Sequence, residues 1–137
     1  MSARRFALAC VVLFLVALAW NALLHLVLLR DVEAAVRRLY RPDLGDRMGL
    51  SLLLTACIVM LFVWGYGRFA RDGSVREGVR YGVFFGLLAG VLVDLNQYVL
   101  FPIPGWLALL WFLGGLAEFA VYGVIVSRIR PVPGGDA

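Results

Sequence analysis

The chain has 137 residues, of which 63% are hydrophobic and only 16% charged, and its mean hydropathy is +0.90. A soluble globular domain sits near half apolar and a quarter charged, so that class is excluded. The formal charge of +4 rests on Arg alone, without any Lys. These Arg residues flank apolar runs instead of gathering on one face, which argues against nucleic acid as a partner.

Four apolar runs succeed one another, at residues 6–29, 48–70, 81–101 and 105–127. Each has the roughly 20 residues that a ~30 Å hydrocarbon core requires. Helices are the expected form, because an unpaired backbone amide in lipid costs several kcal/mol and a helix pairs its own. The first run imitates a cleavable signal peptide, with Arg4 and Arg5 ahead of it and Ala17-Leu18-Ala19 inside it. It continues past that point through Trp20, Asn21 and His25 to Leu29, which is long enough to span, and it reads as an uncleaved first span. A single domain of four spans over residues 1–137 is therefore expected.

The connections differ in kind. In residues 30–47, Val32, Val36, Leu39 and Tyr40 recur at helical spacing, with Glu33, Arg37 and Arg38 expected to face the other way. Asp31 is a fitting N-cap and Pro42 a fitting stop, so a short amphipathic helix on the membrane surface is expected between spans 1 and 2. Residues 71–80 read as a polar, basic loop. The last connection, Pro102-Ile103-Pro104, is uncharged and reads as a tight turn. Arg4, Arg5, Arg68, Arg71, Arg76, Arg80, Arg128 and Arg130 fall on one side of such a bundle, against Arg30, Arg37, Arg38, Arg41 and Arg47 on the other. Eight against five puts both termini in the cytoplasm.

Within the third run, Gly82, Gly86 and Gly90 repeat every four residues and form one smooth helix face. Such a face lets another backbone approach closely, as membrane helices require. Either a neighbouring span of the same chain or a second copy can fill it. Gly114 and Gly115 mark a second close approach in the fourth run. The glycine stripe, continued, reaches Asp94 and then Tyr98. An ionisable side chain inside a span is costly and so marks a candidate functional position.

Counting from the run ends at ~1.5 Å per residue places Asn21, Thr55 and Asp94 at nearly one depth. His25, Ser51 and Gln97 then lie one turn nearer the surface, and Trp111 enters the same layer. Glu118 lies deeper, near Tyr122, with no Arg expected at its level; as a neutral acid it can donate a hydrogen bond to Tyr66, Tyr122 or a carbonyl. Asn21, His25, Thr55, Asp94, Gln97 and Glu118 thus form a candidate intramembrane polar cluster. The plainer role for each is helix-to-helix hydrogen bonding, worth roughly 0.6 kcal/mol apiece.

Much chemistry is missing. One His rules out a bis-histidine haem, and His25 with Asp94 and amides is a weak metal constellation. Phosphate loops, HExxH and nucleophile elbows are absent from the sequence, and none of the few Ser and Thr residues stands beside a base in sequence. Cys10 and Cys57 lie in apolar runs at depths roughly 10 Å apart, too far for a disulfide, and are expected to act as small hydrophobes. No cofactor and no metal are expected.

The segments Tyr81-Gly82-Val83-Phe84-Phe85-Gly86, Asp94-Leu95-Asn96-Gln97-Tyr98 and Pro102-Ile103-Pro104-Gly105 are joined by Trp111, Gly114-Gly115, Asn21 and His25. Together they resemble small uncharacterised bacterial four-span membrane proteins. The resemblance implies a multi-pass protein of the bacterial inner membrane and brings no activity with it. Small multidrug exporters also have four spans, but they carry a key Glu in the first, and here that span has none. The Arg- and Asn-rich motif of glutathione-type membrane transferases is absent as well.

The expected architecture is thus all-α, a membrane four-helix bundle with an interfacial helix. The expected function is a non-enzymatic interaction or accessory module that self-associates as a homodimer or joins a larger membrane complex. Its polar layer would serve helix specificity or hold a lipid or cofactor edge. The rival is a proton-coupled carrier or channel using Asp94 and Glu118; an enzyme acting on a lipid-phase substrate is the weaker third reading.

Overall fold

The computed structural model describes residues 2–129, so Arg130 of the charge count lies outside the described residues. Among the described residues every regular element is helical, without strands. Helix α1 (Ala3–Asn21) opens on Ser2, whose Oγ accepts the Arg5 amide at 3.4 Å. It runs on into a π-helical segment, Ala22–Leu28, closed by the Leu29 amide reaching back to the Leu24 carbonyl at 2.8 Å. Helix α2 (Arg30–Val36) and a 3-10 turn (Arg37–Leu39) come next, then a second 3-10 turn (Gly45–Arg47) that leads into α3 (Met48–Phe69). Helix α4 (Val75–Gly90) continues through a second π-helical segment, Val91–Leu95, into α5 (Asn96–Leu100). Helix α6 (Gly105–Ile129) ends the described chain.

Four stretches are long and apolar enough to cross a membrane: Ala3–Leu28, Gly45–Phe69, Val75–Leu100 and Gly105–Ile129. The third starts at Val75, where the sequence suggested a loop up to Arg80. Ser74 is the reason. Its Oγ accepts the Glu77 amide at 3.1 Å, while the Glu77 carboxylate accepts from the amides of Arg71, Asp72 and Gly73. This is a variant of the Ser-x-x-Glu capping arrangement, and it nucleates helix in a polar segment. Gly73, at φ 67°, makes the turn that brings those amides round. The Ser74 amide in turn bonds Asp72 Oδ1 at 2.7 Å, which holds the Asp72 carboxyl below its ordinary range.

Packing divides the molecule into two halves. In the half holding the start of α1 and the ends of α3 and α6, Ala9, Leu13, Val59, Phe62, Val63, Tyr66, Tyr122 and Val126 form a core with little or no exposure. Phe62 is its hub, with ring centroids 4.9 Å from Tyr81, 5.3 Å from Phe85, and 5.8 Å from both Phe119 and Tyr122. Tyr81 Oη donates to the Phe62 carbonyl at 3.0 Å, anchoring α4 to α3. Aromatic pairs of this kind contribute about 0.5–1.5 kcal/mol each beyond buried area.

Helices α4 and α6 meet along the glycine face. Gly78, Gly82, Gly86 and Gly90 are all buried. A Cβ on Gly78 would strike the Gly123 carbonyl, one on Gly123 would strike that of Gly78, and one on Gly82 would strike that of Phe119. The backbones are therefore as close as glycine permits. Of the two occupants the sequence allowed for this stripe, the chain's own α6 fills it, which leaves no open groove there for a second copy.

The other half is looser. A small cluster of Leu29, Val36, Ile103, Leu107 and Ala108 closes its end, with Leu24, Val32, Leu39 and Trp111 against it. Val32, Val36 and Leu39 of the 30–47 connection thus pack on protein, while Tyr40 and Leu44 are exposed. Asp31 is not the cap: α2 begins one residue earlier, at Arg30, with Leu29 in the cap position. The first turns of α3 stand apart, leaving Met48, Leu50, Leu52, Leu53 and Leu54 exposed.

Candidate functional site

In the looser half, α1, α4 and α6 border an open-sided cavity of about 660 Å³, to which the 30–47 connection adds a further wall; α3 contributes nothing to its lining. Most of the lining is apolar, from Leu24, Val36, Leu39, Ala89, Val93 and Ile103 among others, and Phe119 joins its wall to the aromatic core. Five of the six residues of the expected polar cluster line it: Asn21, His25, Asp94, Gln97 and Glu118. Thr55 does not. Its hydroxyl donates to the Ser51 carbonyl at 3.0 Å, one turn back on α3, and α3 has swung clear of the cavity.

The polar groups form two hydrogen-bonded sets. At the deeper one, Glu118 Oε1 accepts from Tyr122 Oη and from Asn21 Nδ2, the latter at 3.2 Å. Asn21 Nδ2 also donates to the Ala17 carbonyl at 2.9 Å, which fixes the amide's orientation. Two donors thus meet on one oxygen of a half-buried carboxyl that has no Arg partner among the described residues. Asp94 stands beside Gly115, whose missing Cβ would sit 3.3 Å from Oδ2. Gly115 is thus cavity wall, whereas Gly114 is packed against Leu24 of the first span.

The shallower set contains a residue that the sequence reading turned outward. Glu33 Oε1 lies 2.5 Å from His25 Nδ1 and accepts from Trp111 Nε1 at 3.0 Å. This carboxylate ties the connection to both the first and last spans. A signal for this was present in the sequence: Glu33 lies three residues before Val36, hence on the flank of the buried face. Nearby, burial and the Glu33 carboxylate push the Tyr40 hydroxyl up, with Arg37 opposing. Asp43 accepts from Arg41 Nε at 2.9 Å and Arg47 Nε at 3.1 Å, and these guanidinium groups hold its carboxyl below the usual range.

Both π-helical segments border this cavity, one carrying His25 just after Asn21, the other carrying Asp94. A π turn inserts an extra residue and rotates the helix beyond it, a distortion frequent at functional sites. It also breaks the glycine register: Asp94 reaches the cavity, but Tyr98, expected on the same stripe, is 58% exposed. Among the described residues no cluster of three or more His, Cys, Asp or Glu is arranged to hold a metal. Chemically the site offers apolar walls, a floor of amides and carboxyls, and one imidazole. In comparisons with known proteins, the chain matches no family model, no curated protein and no solved structure.

Proposed function

We propose that the chain is a non-enzymatic four-helix bundle of the bacterial inner membrane that binds an amphipathic, lipid-phase molecule in the cavity between spans 1, 3 and 4. Both termini face the cytoplasm in this reading, by the Arg asymmetry, and the 30–47 connection lies at the opposite interface. The observation that carries it is the cavity itself: about 660 Å³, apolar on its sides and polar at its floor, within the range of small-molecule sites. Asn21 with Glu118 and His25 with Glu33 are bonded across elements as adhesion groups would be, but Asp94 and Gln97 line the space outside both hydrogen-bonded sets. The binding module would act alone or as the accessory subunit of a larger membrane complex.

The test is purification in mild detergent, then solvent extraction and mass spectrometry. One amphiphile is expected to travel with the protein in stoichiometric amount. Ala89→Phe, which fills the wall, is expected to lower its occupancy about tenfold while the helical circular dichroism and melting are unchanged. Recovery of the intact protein without any small molecule, its cavity instead covered by a stoichiometric protein partner, would refute the binding reading.

A second reading is favoured by His25, Asp94 and Glu118 lining one space. In a proton-coupled carrier, the two carboxyls would exchange protons with a solute. Glu118→Gln would then abolish proton-driven uptake in proteoliposomes and leave melting intact. In the binding module the same substitution alters ligand preference without any uptake to lose.

A further inference from the structure

A second cavity, of about 650 Å³, adjoins the first and is of opposite character. Arg30, Arg37, Arg38 and Arg41 line it, and it shares His25, Tyr40, Arg41 and Leu44 with the apolar cavity. The two spaces therefore meet at one set of side chains.

The charges in this second space are not balanced. Asp43 pairs with both Arg41 and Arg47, one negative charge against two positive ones. Glu33, the acid in the wall, is committed to His25 and Trp111. Among the described residues Arg30, Arg37 and Arg38 take part in no ion pair. Three exposed guanidinium groups brought round one hollow by a single short helix and its adjoining turn repel one another, and an anion that joins them relieves that repulsion. Their planar forks suit the oxygens of a phosphate better than any other common anionic group. Their location adds a second argument. In the orientation proposed above, this connection is on the non-cytoplasmic side, where arginines are normally depleted, so topology gives no reason for the cluster.

We infer that the arginine-lined cavity holds the phosphate head group of an anionic amphiphile whose hydrocarbon body occupies the adjoining apolar cavity. This rests on the binding role proposed above and names its ligand class. Arg30, Arg37 and Arg38 take the head, Tyr40 and Leu44 lie at the neck, and the polar floor around Glu118 and Asp94 receives no part of the charge. A dianionic or monoanionic phosphate on a lipid satisfies both spaces at once, whereas inorganic phosphate satisfies only the second.

The test uses the full chain in neutral detergent, titrated with phosphatidylglycerol, phosphatidylcholine and inorganic phosphate and read by native mass spectrometry. The wild-type protein is expected to retain phosphatidylglycerol over phosphatidylcholine by about tenfold or more, a preference that weakens with added salt. The triple variant Arg30→Gln, Arg37→Gln, Arg38→Gln should bring phosphatidylglycerol down to the level of phosphatidylcholine with an unchanged melting profile. Equal binding of the two lipids by the wild-type protein would overturn the head-group assignment and leave the apolar cavity as a binding site. A preference that survives the triple variant would also overturn it. Inorganic phosphate binding as tightly as phosphatidylglycerol would overturn the amphiphile. Failure of both lipids to bind would count against the underlying binding role instead.

Discussion

The two halves of this molecule are built from the same helices, yet they solve opposite problems. Near the start of α1 the helices are pinned by rings and by backbone-to-backbone glycine contacts, with Phe62 touching side chains from α4 and α6 as well as lying in α3. Toward the 30–47 connection the same α1, α4 and α6 part around a cavity, α3 leaves the group, and hydrogen bonds to carboxyls replace ring packing. Dispersion and close approach are the main source of helix association in lipid. A half that gives them up must either be marginal or be completed by something else. The tight half lets the open half persist, because it fixes helix positions that the cavity does not have to enforce.

That contrast can be broken at its strongest point. Phe62→Ala removes the hub of the aromatic cluster and is expected to cost about 3–5 kcal/mol, read as unfolding in mixed detergent, because it leaves a cavity where one fully buried ring touches four others. A loss below ~1 kcal/mol would show that the rings are not what holds this half together. The glycines sharpen the comparison with one chemical change made twice. Gly82→Ala drives a methyl group into the Phe119 backbone and is expected to destabilise by about 1–3 kcal/mol. Gly115→Ala meets only the tip of the Asp94 side chain; the better helix propensity of Ala offsets that contact, leaving stability within ~0.5 kcal/mol of wild type. Equal costs at the two sites would erase the distinction between the halves.

The smallest effect concerns pH. The Asp43 carboxyl is depressed by Arg41 and Arg47, so its clamp is complete above the ordinary carboxylate range and is lost as pH falls through the lowered value. Hydrogen exchange in residues 41–47 is expected to rise only below about pH 4, and Asp43→Asn should remove that step with hardly any change in melting. A transition near neutral pH in the same segment would assign the clamp to a different group.

Much of this arrangement was legible in the residues. Length and apolarity located four helices, and the four-residue glycine repeat announced a close approach, because both signals are local. Asn21, His25, Asp94, Gln97 and Glu118, which line the cavity, are visible for the same reason: polar side chains stand out against an apolar run. What escaped notice depended on non-local facts. Counting at a uniform rise carried Thr55 into the polar layer, but depth does not say whether a helix stays with its neighbours, and α3 departs. The π segments cannot be seen in composition, and with them goes the register that would have put Tyr98 beside Asp94. Glu33 is turned outward by a reading of its charge; its spacing from Val36 puts it on the flank of the buried face, and His25 and Trp111, distant in sequence, supply the partners there.

The reciprocal contact of Gly78 and Gly123 has a consequence for the chain's history. Each residue's carbonyl occupies the volume that a side chain on the other would need. In most packed pairs an enlarged residue can be rescued by shrinking its neighbour, but here the neighbour is already the smallest there is. No second substitution within the pair can repair a first, so the crossing of α4 and α6 is closed to stepwise drift and changes only if both helices move apart together.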